Sequence, residues 1–321
     1  MVGKTETTVV TAFFDIGRGN YDIQRCEKRD CKKYFDYFKF WARINNNLIV
    51  YTTSDFKDEV IKIRNEFHRE NKTTVVVVDD IFSIEQNIYN RMKEIEHNQD
   101  FHNFRFWNIE VSNKADYDYI VMMKFWCLTD AVNKNLVKTK DVTWLDFGFN
   151  HGGACYTNPM EFDFTIATPE LNKILLFHLP ERIPEKTHSA LSLQFQFDTI
   201  LGAPVVCPID LTERFYQLIK NSMISLLSLD CIDDDQQLLL MSYKTEPDLF
   251  LIQPSDWFMP LKEYMGGEKL SIKEAKIKNI RNFPLRKLLG KIRRFIFKSN
   301  KEKQKIEFSK RIKQIGAHWY N

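Results

Sequence analysis

Thr143-Trp144-Leu145-Asp146-Phe147-Gly148-Phe149-Asn150-His151-Gly152-Gly153 is the stretch on which the fold turns. An apolar strand over 142–145 ends at a carboxylate and then runs into glycines, which let the backbone approach whatever lies beyond the strand end. Open α/β sheets bind ligands outside the carboxyl ends of their strands, so an acid at this point is a stronger functional candidate than an acid on a helix face. The plainer alternative has Asp146 opening an Asx turn, with the glycines only relieving crowding.

Upstream, the same arrangement occurs once more. Residues 7–14 (TTVVTAFF) are β-branched and aromatic, as in a buried first strand, and they release Asp15-Ile16-Gly17-Arg18-Gly19-Asn20 at its end. Arg18 suits paired phosphate oxygens, although G-x-G is neither a dinucleotide fingerprint nor a P-loop and also fits a plain turn. Aromatics at helical spacing predict a helix over 29–44, and 48–52 reads as the next strand. A capped helix over 55–70 and a β-branched strand over 73–78 follow. This alternation predicts a doubly wound α/β sheet. Helices over 84–97 and 115–135 lead into the strand ending at Asp146. Lys124 lies in the apolar middle of the second helix, where its charge needs either an escape to solvent or a partner such as a ligand phosphate.

Beyond Gly153 the pattern loosens. Short strands are expected over 162–166, 174–178 and 250–252, and the alternation of Ala190, Leu191, Leu193, Phe195 and Phe197 predicts an antiparallel strand over 189–197. Residues 199–204 read as a turn, 210–228 as a helix, 236–244 as another helix and 254–265 as a loop. Asp233-Asp234-Asp235 stands at the start of the 236–244 helix. A helix N-terminus favours acids, which accounts for one or two of these carboxylates but does not call for three.

The net charge of +3 hides an asymmetry: residues 271–315 carry sixteen Lys and Arg against three Glu. There, Leu285, Leu288, Leu289, Ile292, Phe295 and Ile296 fall at helical spacing among the basic residues. That is the pattern of a helix lying on an anionic membrane surface or an acidic partner. No nucleic-acid-binding motif accompanies the charge. No apolar run is long enough for a membrane span, and the polar start of the chain lacks the character of a secretory signal. The six cysteines form no C-x-x-C pair, which favours reduced thiols over disulfides or a zinc site. A cytoplasmic protein attached peripherally to the inner face of the cell membrane is the expectation. Asp146-Phe147-Gly148 does not make a protein kinase, since no H-R-D loop precedes it.

Three blocks together, 8–19 (TVVTAFFDIGRG), 48–52 (LIVYT) and 144–148 (WLDFG), resemble the bacterial HtrL/YibB family, found among surface-polysaccharide genes. That family looks like a set of glycosyltransferases of the GT-A fold. The resemblance, over roughly 7–265, implies a Rossmann-type mixed sheet flanked by helices in a domain over 1–268. Its nucleotide-sugar-binding half would be 1–148 and its acceptor half 149–268, with the basic amphipathic tail at 269–321.

It further implies a UDP-sugar donor, with galactose as the family's suggestion, and a lipid-linked or polysaccharide acceptor. Thr11, Phe13, Asp15, Tyr51 and Thr52 would line the uridine pocket, and Arg18, Lys124, Asp146 and Gly148 would meet the rest of the donor. GT-A enzymes commonly carry Asp-x-Asp at this strand end to hold Mn²⁺ or Mg²⁺. Here Gly148 replaces the second acid, so either Asp146 binds the metal with help from His318 or His151, or Arg18 and Lys124 carry the phosphates alone. The metal-bound version, with Asp146 and His318 as ligands, is the expectation. For an inverting reaction Asp235, then Asp234, is the expected general base; a retaining enzyme would need none. A noncatalytic membrane-associated scaffold and a sugar-nucleotide nucleotidyltransferase are the competing classes. Nucleotide binding separates the first from an enzyme, and the missing glycine-rich, lysine-containing loop argues against the second.

Overall fold

A computed structural model describes residues 3–21, 29–106 and 113–273. The chain divides into two units, 1–271 and 272–321. The proposed tail helix and His318 lie outside the described residues. The five described cysteines are free thiols, and no described helix is long and apolar enough to cross a membrane.

The first half follows the strand-helix alternation of its sequence. After a short β1 (Lys4–Glu6) come β2 (Thr8–Phe13), α1 (Cys31–Trp41), β3 (Leu48–Thr52), α2 (Ser54–Asn65) and β4 (Thr73–Val77). α3 (Gln86–Glu96), α4 (Gln99–Phe104), α5 (Ala115–Asn133) and β5 (Asp141–Trp144) follow. β2 and β3 are buried on both faces, as expected of interior parallel strands. Val10, Ile49, Tyr51 and Trp144 join the main core with α3 and α5. The alternate residues Val9 and Val50 are equally buried and, by the two-residue period of a strand, face the opposite side.

The second half consists of β6 (Ala167–Pro169), β7 (Ile174–His178), α6 (Ser189–Phe195), β8 (Val205–Pro208), α7 (Thr212–Leu227), α8 (Asp235–Thr245), β9 (Phe250–Pro254) and the single turn α9 (Pro260–Glu263). The seven-stranded sheet has the order β4-β3-β2-β5-β8-β7-β9, and β1 pairs with β6 apart from it. Within the seven, β8 alone runs antiparallel to its neighbours β5 and β7. The sheet is therefore mixed rather than doubly wound throughout. The reversal of β8 puts its amino end on the edge where the other strands have their carboxyl ends.

Two expectations change, and one strand is added. Residues 189–197 form α6 and a following turn instead of a strand. Both edges of β7 are already taken by β8 and β9, so that strand has no free edge for another, and the segment packs its buried Ser192 and Leu193 near α8. Residues 162–166 are not a strand either: Asn158 caps a helical turn at Pro159–Phe162 by accepting from Met160 N, and pairing begins only at Ala167. The end of the stretch read as a turn is followed by β8, a four-residue strand too short to show a period.

The sheet edge opposite the strand carboxyl ends is fastened by Arg64. Fully buried, it donates to the carbonyls of Ala42, Ile44, Asn46 and Lys72 and to Thr73 Oγ1. Burial and the nearby Arg69 push its pKa down to about 9.

Candidate active site

Asp146 stands just beyond β5, and its position is set locally. The Trp144 indole donates to Asp146 Oδ1 at 2.8 Å, and Phe149 N closes a turn on the Asp146 carbonyl at 2.8 Å. Four successive residues then take positive φ: Asn150, His151, Gly152 and Gly153. Such a run is costly for the two that are not glycine. Asn150 holds it in place, its buried side chain accepting from Cys155 N and Tyr156 N and donating to the Tyr156 carbonyl. Gly148 packs on a ring, since a Cβ there would lie 3.2 Å from Tyr34 Cε1.

Lys124 reaches this strand end from the middle of α5. Its Nζ lies 2.8 Å from Asp146 Oδ1 and 2.6 Å from Asp235 Oδ2, in the first turn of α8, and 5.9 Å from the centre of the Trp144 ring. Lys124 is 8% exposed and Asp235 4%, so this cation and one of its anions are almost entirely out of water. Burial works against the ammonium, but Asp146 and Asp235 more than offset it and hold its pKa above the ordinary lysine value. Burial raises the Asp235 carboxyl, with Lys124 opposing. Gly202, in the loop before β8, presses on the same carboxylate: a Cβ there would lie 2.2 Å from Asp235 Oδ2. Asp234 is the N-cap of α8, accepting from Gln236 N. The third acid, Asp233, is tied to the buried Arg105 at 3.0 Å.

Arg18 completes the edge after β2. It donates to the Tyr34 hydroxyl at 2.6 Å and lies 4.9 Å from the Tyr117 ring centre. Tyr117 has its pKa raised by burial and by Asp234 and Asp235, with Arg18 and Lys124 opposing, which ties the two ends of the site into one electrostatic unit. Asp15 closes its own loop, accepting from Gly17 N and from the Cys31 thiol.

The structure thus gathers Lys124, Asp146 and Asp235, with Arg18 and Tyr117 in contact on the same edge. The residues assigned to the uridine pocket need correction. Thr11, Tyr51 and Thr52 are fully buried; the Tyr51 hydroxyl donates to Asp130 on α5, and Thr52 Oγ1 donates to the Phe13 carbonyl. Phe13 is packed among Tyr34, Phe35, Phe56 and Phe147. These residues build the floor beneath the strand ends instead of presenting side chains at them. Sequence reading missed Tyr34, Tyr117 and Gly202. Gly202 had a signal, a glycine just before a strand, but the strand itself went unseen.

No three His, Cys, Asp or Glu side chains converge to hold a metal among the described residues. The Trp144 and Lys124 contacts both fall on Asp146 Oδ1, and the side chain is 42% exposed, so among the described residues Oδ2 has no partner. Mg²⁺-type ions are commonly held by one or two carboxylates together with substrate phosphates and water, so Asp146 fits as a single protein ligand. His151 packs against the Tyr37 and Phe258 rings.

A family model described as "Bacterial protein of unknown function (HtrL_YibB)" matches residues 5–265. Protein HtrL of Escherichia coli (strain K12) is 32% identical over 262 residues, covering 77% of this chain and 87% of that one. Among solved structures, the apo form of mouse xyloside xylosyltransferase 1 aligns with a TM-score of 0.38 at 13% identity. That alignment covers 78% of this chain and 85% of that chain.

Proposed function

The chain belongs to the HtrL/YibB family of bacterial proteins, and from that premise we propose that it is a glycosyltransferase taking a sugar from a nucleoside diphosphate donor, a UDP-sugar, to a glycan acceptor. The observation that carries this reading is the placement of Lys124 between Asp146 and Asp235 at the edge where parallel strands end, with Arg18 on the neighbouring loop. Cations and a buried carboxylate on one edge answer the two needs of glycosyl transfer, a home for the leaving diphosphate and a base for the attacking hydroxyl.

In the proposed inverting reaction the acceptor hydroxyl oxygen bonds to the anomeric carbon and its proton passes to Asp235, while the bond from that carbon to the diphosphate breaks. Burial, which raises the Asp235 carboxyl, makes it a better proton acceptor than a surface carboxylate. Arg18 and Lys124 face the charge that develops on the departing diphosphate. A divalent cation, when bound, would be held by Asp146 and would neutralise further phosphate charge.

The test is calorimetric binding of UDP and UDP-sugars with and without Mn²⁺, to wild type, Asp146→Ala and Asp235→Asn, followed by donor turnover. Asp235→Asn is expected to bind UDP but to lose at least about 100-fold in transfer, the usual range for losing a general base. Failure of the wild type to bind any nucleotide, with or without metal, would return the protein to the scaffold class.

A further inference from the structure

The part of the chain between β7 and β8 builds a second depression beside the acidic one. The cleft at the start of α8 is lined by Asp198, Asp233, Asp234 and Gln236, together with Ser192 and Phe197. Ser192 and Phe197 also line an adjoining groove of about 410 Å³, so the two run into each other. Their chemistry is opposite. The groove is walled by Ile183, Leu191 and Phe197, which are 40%, 50% and 38% exposed, and it carries Arg182, Lys186 and His188 against a single carboxylate, Glu181. Large apolar side chains left this open and grouped, with two cations beside them, mark a binding surface. Arg182 is already set in place: it donates to the Asp198 carbonyl at 2.6 Å and stacks 4.9 Å from the centre of the Phe197 ring. Its remaining N–H donors have no hydrogen-bond partner among the described residues.

We propose that this groove holds the phosphate and the first hydrocarbon units of a lipid-phosphate-linked acceptor, with its neutral sugar end turned toward the start of α8, where Asp234 and Asp235 stand. The proposal rests on the glycosyltransferase reading and names the acceptor class for it. A hydrophilic glycan has no use for the exposed Ile183 and Leu191, and a plain hydrocarbon has none for the two cations Arg182 and Lys186. An alkyl chain ending in phosphate uses both, with the phosphate nearest Arg182, whose guanidinium sits where groove and cleft meet.

Farnesyl phosphate, below its micellar concentration, is the probe, titrated calorimetrically into the full chain beside farnesol, inorganic phosphate and glucose 1-phosphate. Farnesyl phosphate is expected to bind at least tenfold more tightly than the other three. Lys186→Glu and Leu191→Asp, both at exposed positions, should each weaken it tenfold or more while leaving the thermal midpoint and UDP binding unchanged. Equal binding of farnesol would make the groove merely apolar, and equal binding of glucose 1-phosphate would make it a site for hydrophilic phosphates; either overturns the assignment. So does farnesyl phosphate binding that neither substitution weakens. Loss of UDP binding in the wild type with farnesyl phosphate binding intact would instead remove the proposed donor chemistry and leave the groove standing.

Discussion

Replacing Lys124 by methionine keeps most of the side-chain volume and removes the charge that joins the two halves of the site. Asp146, with a 42% exposed side chain, can turn to water, but Asp235, 4% exposed, cannot. Breaking a buried pair from one side costs about 3–5 kcal/mol, because a charge is left without compensation. That is the loss expected for Lys124→Met at pH 8. Asp235→Asn leaves Lys124 still paired with Asp146 and should cost about 1–2 kcal/mol, the range for a lost buried hydrogen bond. Asp146→Asn, at a half-exposed position, should cost about 1 kcal/mol or less.

The pH dependence identifies the stranded group. The folded-state pKa of Asp235 lies above its ordinary 3.8 because of burial, and removing Lys124 takes away the opposing influence and raises it further. The folded Lys124→Met protein then holds a proton that the unfolded chain releases. Its deficit is small in acid and grows by up to about 1.4 kcal/mol per pH unit as the pH climbs above the ordinary carboxyl value. Urea denaturation of the wild type, the three single variants and Lys124→Met/Asp235→Asn at pH 5 and pH 8 measures this directly. A Lys124→Met deficit equal at both pH values, or a double variant no more stable than Lys124→Met, would refute the assignment of Asp235 as the buried anion.

Two further outcomes are expected. Gly202→Ala would set a methyl group 2.2 Å from Asp235 Oδ2, so the carboxylate must move off Lys124; urea denaturation should show a loss of about 1–3 kcal/mol, as for overpacking, and donor turnover should fall with it. A turnover equal to wild type would mean that the position of Asp235 is immaterial. At the far edge of the sheet, Asp141 is buried, its Oδ1 has no hydrogen-bond partner among the described residues, and burial followed by repulsion from Glu170 lifts its pKa to about 6. An acid raised above its unfolded value stabilises the fold while protonated, so stability should decline as the pH rises from about 4 through 6. In Asp141→Asn that decline should flatten, and an unchanged slope would place the titration elsewhere.

The fold was legible where β-branched or apolar residues run without interruption. The β-branched runs at 8–13, 48–52 and 73–77 and the long apolar helix around Lys124 can be read without any partner in view. The second half resisted because its part of the sheet is mixed and two of its strands, β6 and β8, are only three and four residues long. Ala190 to Phe197 alternates like a strand, yet folds as α6 and a turn, and the preceding β7 is already paired on both sides. Asp146, Lys124 and Asp235 were each visible as chemistry out of place: an acid closing a strand, a cation inside an apolar helix, one carboxylate more than capping needs. Their meeting was not visible, because it depends on the reversed β8 bringing Gly202 to the edge where Asp146 emerges. Of the residues read as the uridine pocket, Thr11, Tyr51 and Thr52 lie in strands buried on both faces and point into packing, whereas Asp15, past the strand end, reaches the open edge.

The chain leaves the sheet at the carboxyl end of β7 and re-enters it at the amino end of β8, the strand beside it. The mouth of this excursion is zipped by a bridge between His178 and Ile200, by Leu179 N on the Thr199 carbonyl and by Leu201 N on the Phe177 carbonyl. Segment 180–198 is therefore a cassette on a fixed collar. Because its ends are pinned as neighbours whatever lies between them, doubling its length would cost only about 0.6 kcal/mol in closure entropy. What lies between the pinned ends is held separately, by the buried Leu193, by Gln237 donating to the Ser189 carbonyl and by Tyr243 donating to Glu185.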